Sequence, residues 1–350
     1  MRVIVRSKSP FWTDEIEQVR NIRTVQYLIF EYLPKIPGGW PGHYLLTLPI
    51  QNLYQNNKFL LGLPGLLVHV GVFLFIPNVL KSIFAQDHRR LAVSAFAARL
   101  LFTLDPYLTF QSMEVRPYAL LPFVWILCVM LSVSLVKEKW KDIKNIKKVM
   151  RLFLYIIFYL FLFIWHAYSI IMTASIMIFL IFHLSFLKKH IKFGETATVI
   201  LSAGILSFPV LKYFAQGASR YALNPFEMIP SFSEIVSGQR GIMIIFAWQQ
   251  LFFLLSMALI VSTVIYTFSR LRSNVDKSVL FYQLVFPVSV LVLLPVLIIV
   301  ILDIINPYWI LYRQFAWTAL PLYMVIVSVA GNVLTRDNRG EIKIHAQKNH

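Results

Sequence analysis

Two adjacent carboxylates follow an aromatic pair near the start of the chain, in Ser9-Pro10-Phe11-Trp12-Thr13-Asp14-Glu15. Neighbours on a helix point about 100° apart, so one carboxylate can face a site while the other braces it. A carboxylate near membrane level can act as general base or ligate a metal. The same residues also suit a helix start, with Thr13 or Asp14 capping and Glu17 in the first turn. Further on, Glu114 and Arg116 lie in Gln111-Ser112-Met113-Glu114-Val115-Arg116-Pro117-Tyr118-Ala119-Leu120, at the mouth of an apolar run. Charge there is costly unless paired or solvated, so the two either pair with each other or meet a substrate.

Arg313 closes Tyr308-Trp309-Ile310-Leu311-Tyr312-Arg313. Its planar guanidinium suits a phosphate oxyanion, with snorkelling to headgroups as the alternative. His43 follows turn chemistry in Pro37-Gly38-Gly39-Trp40-Pro41-Gly42 and opens the amphipathic stretch HYLLTLPIQNLY. That stretch suits a helix lying in the membrane interface. His166, in Trp165-His166-Ala167-Tyr168, stands between two apolar runs as either a binding or a structural residue.

The elements that must position these residues are membrane helices. Hydrophobic residues make up 58 % of the 350-residue chain and charged residues 14 %; soluble domains have roughly 45–50 % and 25 %. A soluble single domain and a disordered chain are both excluded. The one cysteine, Cys128, lies in an apolar run, so neither a disulfide framework nor a cysteine metal site can form within this chain. Nine apolar segments stand out: 59–80, 91–104, 118–136, 152–165, 168–187, 196–211, 242–268, 279–302 and 314–334. A full span needs about 20 residues. Segment 91–104 is therefore expected to run on towards Phe110, and 152–165 to form a tight hairpin with 168–187, its tip at His166-Ala167. Pro64, Pro209, Pro295 and Pro321 mark kinks that neighbouring helices can accommodate.

Charge orients these spans. The connectors 81–90, 137–151, 188–195, 269–278 and 335–350 hold 20 Lys/Arg in 59 residues, and the alternate connectors 105–117, 166–167, 212–241 and 303–313 hold 5 in 56. The first set is thus cytoplasmic. The formal charge of +17 reads as orientation signal and contact with anionic lipid, not as a nucleic-acid surface. None of the 16 acidic residues falls inside an apolar segment. Nine lie on the outer side: Asp14, Glu15, Glu17, Glu31, Asp105, Glu114, Glu227, Glu234 and Asp303. Proton-coupled transporters carry acids within the bilayer, so this pattern favours chemistry or binding at the outer surface. The expected fold is an all-α polytopic membrane protein of about nine spans. Residues 1–58 form an outer-face catalytic loop with interfacial helices, 59–334 the transmembrane domain and 335–350 a basic cytoplasmic tail.

Taken in order, these motifs resemble those of the C-type (GT-C) membrane glycosyltransferases. Phe11-Trp12-Thr13-Asp14-Glu15 is similar to their aromatic-x-Asp-Glu signature. Residues Ser112 to Leu120 resemble the S-x-E-x-R-x-Y-A-L stretch of a bacterial branch. That branch contains lipopolysaccharide-core sugar transferases and is related to protein O-mannosyltransferases and the lipid A aminoarabinose transferase. Trp165-His166-Ala167-Tyr168 resembles the T-H-Y hairpin, and Tyr312-Arg313 with Leu320-Pro321-Leu322-Tyr323 the late R-Y…P-L-Y segment. The chain departs from the family pattern at Asp105, where a small polar residue is usual. It departs again at Trp165, where Thr is usual, and at Trp40-Pro41-Gly42-His43-Tyr44, which stands for His-Pro-Pro-Leu-Tyr.

The resemblance implies an inverting transfer of a sugar from a polyprenyl-phosphate donor to a glycan, lipid or protein acceptor, at the outer face of the plasma (inner) membrane. Asp14 would be the general base, with Glu15 orienting. Arg116 or Arg313 would hold the phosphate, and Glu114, His43, His166 and Tyr118 would bind substrate. Metal use varies in the superfamily, so no cofactor is assigned; a divalent cation, Mg2+ or Mn2+, would fall to Asp14 and Glu114. The rival classes are a glycan flippase or polymerase, and a catalytically silent binder of lipid-linked sugar. Nine spans with a cytoplasmic C-terminus put residues 1–58 outside. Yet that stretch carries seven Lys/Arg and has no apolar run of its own to cross on. A further span ahead of Met1 is therefore expected.

Overall fold

The computed structural model describes residues 24–35, 40–53, 57–84, 88–112, 115, 117–138, 144–186, 193–215, 284–305 and 317–334. Among them every regular element is helical. A short helical entry, Val25–Tyr27 with turns Leu28–Tyr32 and Leu33–Lys35, precedes the ten described α-helices longer than one turn. These are α1 (Pro41–Leu53), α2 (Lys58–Phe84), α3 (His88–Leu104), α4 (Pro106–Gln111), α5 (Leu121–Lys137), α6 (Asn145–Trp165), α7 (Tyr168–Phe186), α8 (Phe193–Ala215), α9 (Leu294–Ile305) and α10 (Ala319–Leu334). Four stretches are long and apolar enough to cross a membrane: Phe59–Phe84, Pro117–Lys137, Asn145–Trp165 and Gly194–Phe214. Leu91–Leu104, Tyr168–His183, Phe286–Ile299 and Ala319–Ala330 are apolar but shorter. Helices thus fall on eight of the nine apolar segments; the remaining one, 242–268, lies outside the described residues, as does the tail 335–350.

Burial follows the apolar pattern around each helix. α5 is apolar on every side and occupies the centre, burying Val124, Trp125, Ile126, Cys128, Val129 and Leu135 against α2 and α7. α6 and α8 pair with each other at the periphery. α6 buries Tyr159, Leu162 and Phe163 and leaves Phe153, Ile157, Phe158 and Phe161 outside, while α8 exposes Leu201, Ile205 and Phe208. In a bilayer such outward faces meet acyl chains and need no further cover.

Several polar groups inside this bundle are spent on backbone repair. Pro77 lies within α2 and has no N–H for the Phe73 carbonyl one turn earlier. The Nε–H of Arg99 on α3 donates to that carbonyl at 2.9 Å. A second device is a widened turn upstream of a proline. Ser289–Leu293 forms a π-turn just before Pro295, and Leu28–Tyr32 forms one before Pro34, giving room where the proline ring would press on the preceding turn. Inter-helix ties follow the same economy: Ser94 Oγ donates to the Val327 carbonyl at 3.1 Å and His69 Nε2 to the Ala119 carbonyl at 3.1 Å.

The expected continuation of segment 91–104 to Phe110 takes a bent form. α3 ends at Leu104 and α4 begins at Pro106, with Asp105 as the joint. Its carboxylate caps α4 by accepting the Leu108 N–H at 3.0 Å and accepts the Tyr323 hydroxyl of α10 at 2.6 Å. Asp105 and Tyr323 are both buried, so this bond fixes the joint between α3 and α4 to α10. Asp105→Asn and Tyr323→Phe should each cost about 1–3 kcal/mol, as loss of a buried partner does. The double variant should cost little more than the worse single one in detergent melting experiments. Additive costs would show that the two residues do not act as a pair.

Candidate functional site

The end of the bundle that carries Asp105 also gathers the hairpin tip and α1. α1 packs against α2, α6 and the Pro117–Leu120 turn. The seat is a close approach: a Cβ on Gly42 would lie 2.0 Å from the Trp165 indole, so a side chain there is excluded. Gly65 of α2 makes a similar approach, a Cβ there lying 2.6 Å from the Ser112 carbonyl oxygen. Ser112 is thereby drawn against α2.

Of the residues named from the sequence, His43, Tyr118 and His166 lie within the described residues and all three are buried. They come from three elements that meet at this end. His43 sits in the first turn of α1, Tyr118 in the Pro117–Leu120 turn against α1, and His166 at the C-terminal end of α6. Asp14, Glu15, Glu114, Arg116 and Arg313 lie outside the described residues. Among the described residues no three His, Cys, Asp or Glu side chains gather to hold a metal ion.

His166 has a defined protonation state. Burial pushes its pKa down to about 3, so the imidazole is neutral at physiological pH. Its Nδ1 accepts the Tyr168 N–H at 3.2 Å, so the single proton sits on Nε2. That Nε2–H has no hydrogen-bond partner among the described residues, and neither has the Trp40 indole N–H. The two rings lie 6.2 Å apart between centroids, and Trp40 meets Phe214 of α8 edge-on at 6.5 Å. Among the described residues the corner is aromatic, uncharged and equipped with two N–H donors. Such a set can recognise the lone pairs of an oxygen-rich ligand but cannot serve as a base at neutral pH. No protein-family model matches the chain, and no curated protein or solved structure does either.

The opposite end differs in kind. Arg151 pairs with Glu138, whose other oxygen accepts the Tyr155 hydroxyl at 3.2 Å, and Lys148 pairs with Glu195 at 2.8 Å. These ion pairs lie on the two lysine-rich connectors. Sequence motifs pass over one side chain altogether. Arg99 belongs to no motif, yet it is the only charged residue within the nine apolar segments, and that solitude is its signal.

Two outcomes follow from the corner. Gly42→Ala should lower the melting temperature by the equivalent of about 1–3 kcal/mol through its clash with Trp165. Gly204→Ala, with nothing within 4 Å among the described residues, should leave it unchanged or slightly higher. His166 also predicts acid sensitivity. The unfolded chain binds a proton near pH 6.5, which the folded imidazole refuses until about 3. Stability is therefore lost as pH falls through that window, at up to about 1.4 kcal/mol per unit. His166→Asn keeps an acceptor for the Tyr168 N–H and should flatten the melting profile between pH 7 and 4. An unchanged profile would mean that His166 is not the sensitive group.

Proposed function

We propose that this protein is a C-type glycosyltransferase, with about nine spans, that moves a sugar from a polyprenyl-phosphate donor to an acceptor hydroxyl on the outer face of the plasma membrane. The observation that carries the proposal is the seating of α1 on the hairpin tip. It gathers His43, His166 and the Tyr118 turn, residues of three separate sequence motifs, at the end of the bundle away from the lysine-rich ion pairs. The neutral Nε2–H of His166 and the Trp40 N–H supply donors suited to sugar or phosphate oxygens.

In this reading Asp14 removes the proton of the acceptor hydroxyl as the oxygen attacks the anomeric carbon. The bond to the phosphate oxygen breaks on the opposite side and the configuration inverts. Arg116 or Arg313 offsets the charge that develops on the leaving phosphate. Glu15 and Glu114 orient these groups. Asp14→Asn retains shape but cannot accept the proton, and should reduce transfer by about a hundredfold or more. The test is mass spectrometry of surface glycans and lipid-linked sugars in cells with the gene, without it, and with Asp14→Asn. Loss of the gene should leave one lipid-linked sugar accumulating and one glycan residue missing, and the Asp14→Asn strain should reproduce both effects. Identical glycans in all three strains would refute the proposal.

A further inference from the structure

Arg99 stands in the apolar helix α3, five residues before its end at Leu104, or about 7.5 Å along the axis. The next turn towards that end carries Phe102, on which His69 stacks at 5.4 Å. Arg99 therefore lies one turn inside the layer that joins α2 to the first outer connector. Its Nε–H is used on the Phe73 carbonyl left open by Pro77, and its guanidinium carbon rests 4.8 Å from the centroid of the Phe73 ring. The carbonyl and the ring hold the guanidinium plane in place. Four N–H groups remain on the terminal nitrogens. Among the described residues they meet neither carboxylate nor carbonyl.

The surroundings make that arrangement costly. Val70, Phe73 and Leu74 of α2 and Phe96 and Leu100 of α3 are exposed, so the side chain opens onto an apolar outer surface and not into the aromatic corner. In a bilayer that surface meets acyl chains, and a guanidinium there needs an anionic oxygen. No acidic residue lies in any apolar segment to supply one. A fork of parallel N–H donors matches two phosphate oxygens, and the leaflet at this end brings phosphates to within reach of an arginine one to two turns down.

We propose that Arg99 holds the phosphate of a phospholipid from the adjacent leaflet, with its acyl chains along Val70, Leu74, Phe96 and Leu100. The outward direction assigns the site to bulk bilayer lipid. It does not depend on the transferase reading. Backbone repair alone would need only one donor, which a glutamine amide can also supply; the phosphate needs the charged fork.

The full-length protein, purified in detergent, is to be examined by native mass spectrometry with phosphatidylglycerol and with diacylglycerol of the same chains. The wild type should retain phosphatidylglycerol about tenfold more strongly, as expected of charge-assisted hydrogen bonds. Arg99→Gln should lose that preference while binding diacylglycerol as before. If the glutamine variant does not fold, Arg99→Lys decides, since its single ammonium should retain the phospholipid several-fold less well. Undiminished retention by either folded variant would overturn the proposal. So would displacement of phosphatidylglycerol by equimolar undecaprenyl phosphate in the wild type but not in Arg99→Gln, which would give the site to the prenyl lipid.

Discussion

A helix in an apolar surrounding has no water to satisfy a backbone group that loses its partner. This constraint shapes most of the polar contacts in the bundle. Proline within α2 leaves the Phe73 carbonyl open, and the answer is a cation from the neighbouring helix. A break between α3 and α4 frees the Leu108 N–H, and Asp105 accepts it while reaching across to Tyr323. At the hairpin tip, Ser169 Oγ donates to the Leu162 carbonyl at 2.8 Å and His166 accepts the Tyr168 N–H. Each residue closes a local gap and ties one helix or turn to the next. Such bonds offset the desolvation of the interior polar side chains that make them.

The two ends of the bundle obey different electrostatics. At the lysine-rich end, charges are paired across connectors near water, where such bonds add little stability and fix register instead. At the other end, α1 closes over the hairpin with aromatic and glycine contacts, and the described polar groups at the hairpin tip are uncharged. Burial keeps His166 neutral, and its bond to the Tyr168 N–H decides which nitrogen carries the proton. A closed aromatic corner cannot hold a carboxylate cheaply.

Much of the helical framework is legible in the sequence because apolar runs in a membrane protein have few alternatives to a helix. The segments 118–136 and 168–187 fall on α5 and α7, and the tip at His166-Ala167 joins α6 to α7 as the spacing suggests. Ends are less legible. α6 begins at Asn145 and not at 152, since Lys147, Lys148 and Arg151 reach outward or pair with acids while their stems continue the helix. Asp105 reads from the sequence only as an outer acid that departs from a family pattern. Its role as cap and tie depends on Tyr323, more than two hundred residues away, and no local pattern encodes that pairing. Trp40 and Trp165 are visible as aromatic residues near turns, but their convergence on Gly42 and His166 arises only when α1 folds back on the hairpin.

Arg99 shows why one residue can be structural and still be open to a ligand. A neutral donor would have sufficed to mend the gap left by Pro77, and serine and threonine mend such gaps at lower desolvation cost. Arginine brings a permanent charge and four further N–H groups into an apolar face. The lipid phosphate proposed above neutralises that excess and so couples the repair of α2 to the composition of the surrounding membrane. The same bond that satisfies the Phe73 carbonyl one turn beyond His69 would then hold that layer, and the turn packed on it, more firmly in an anionic bilayer than in a neutral one.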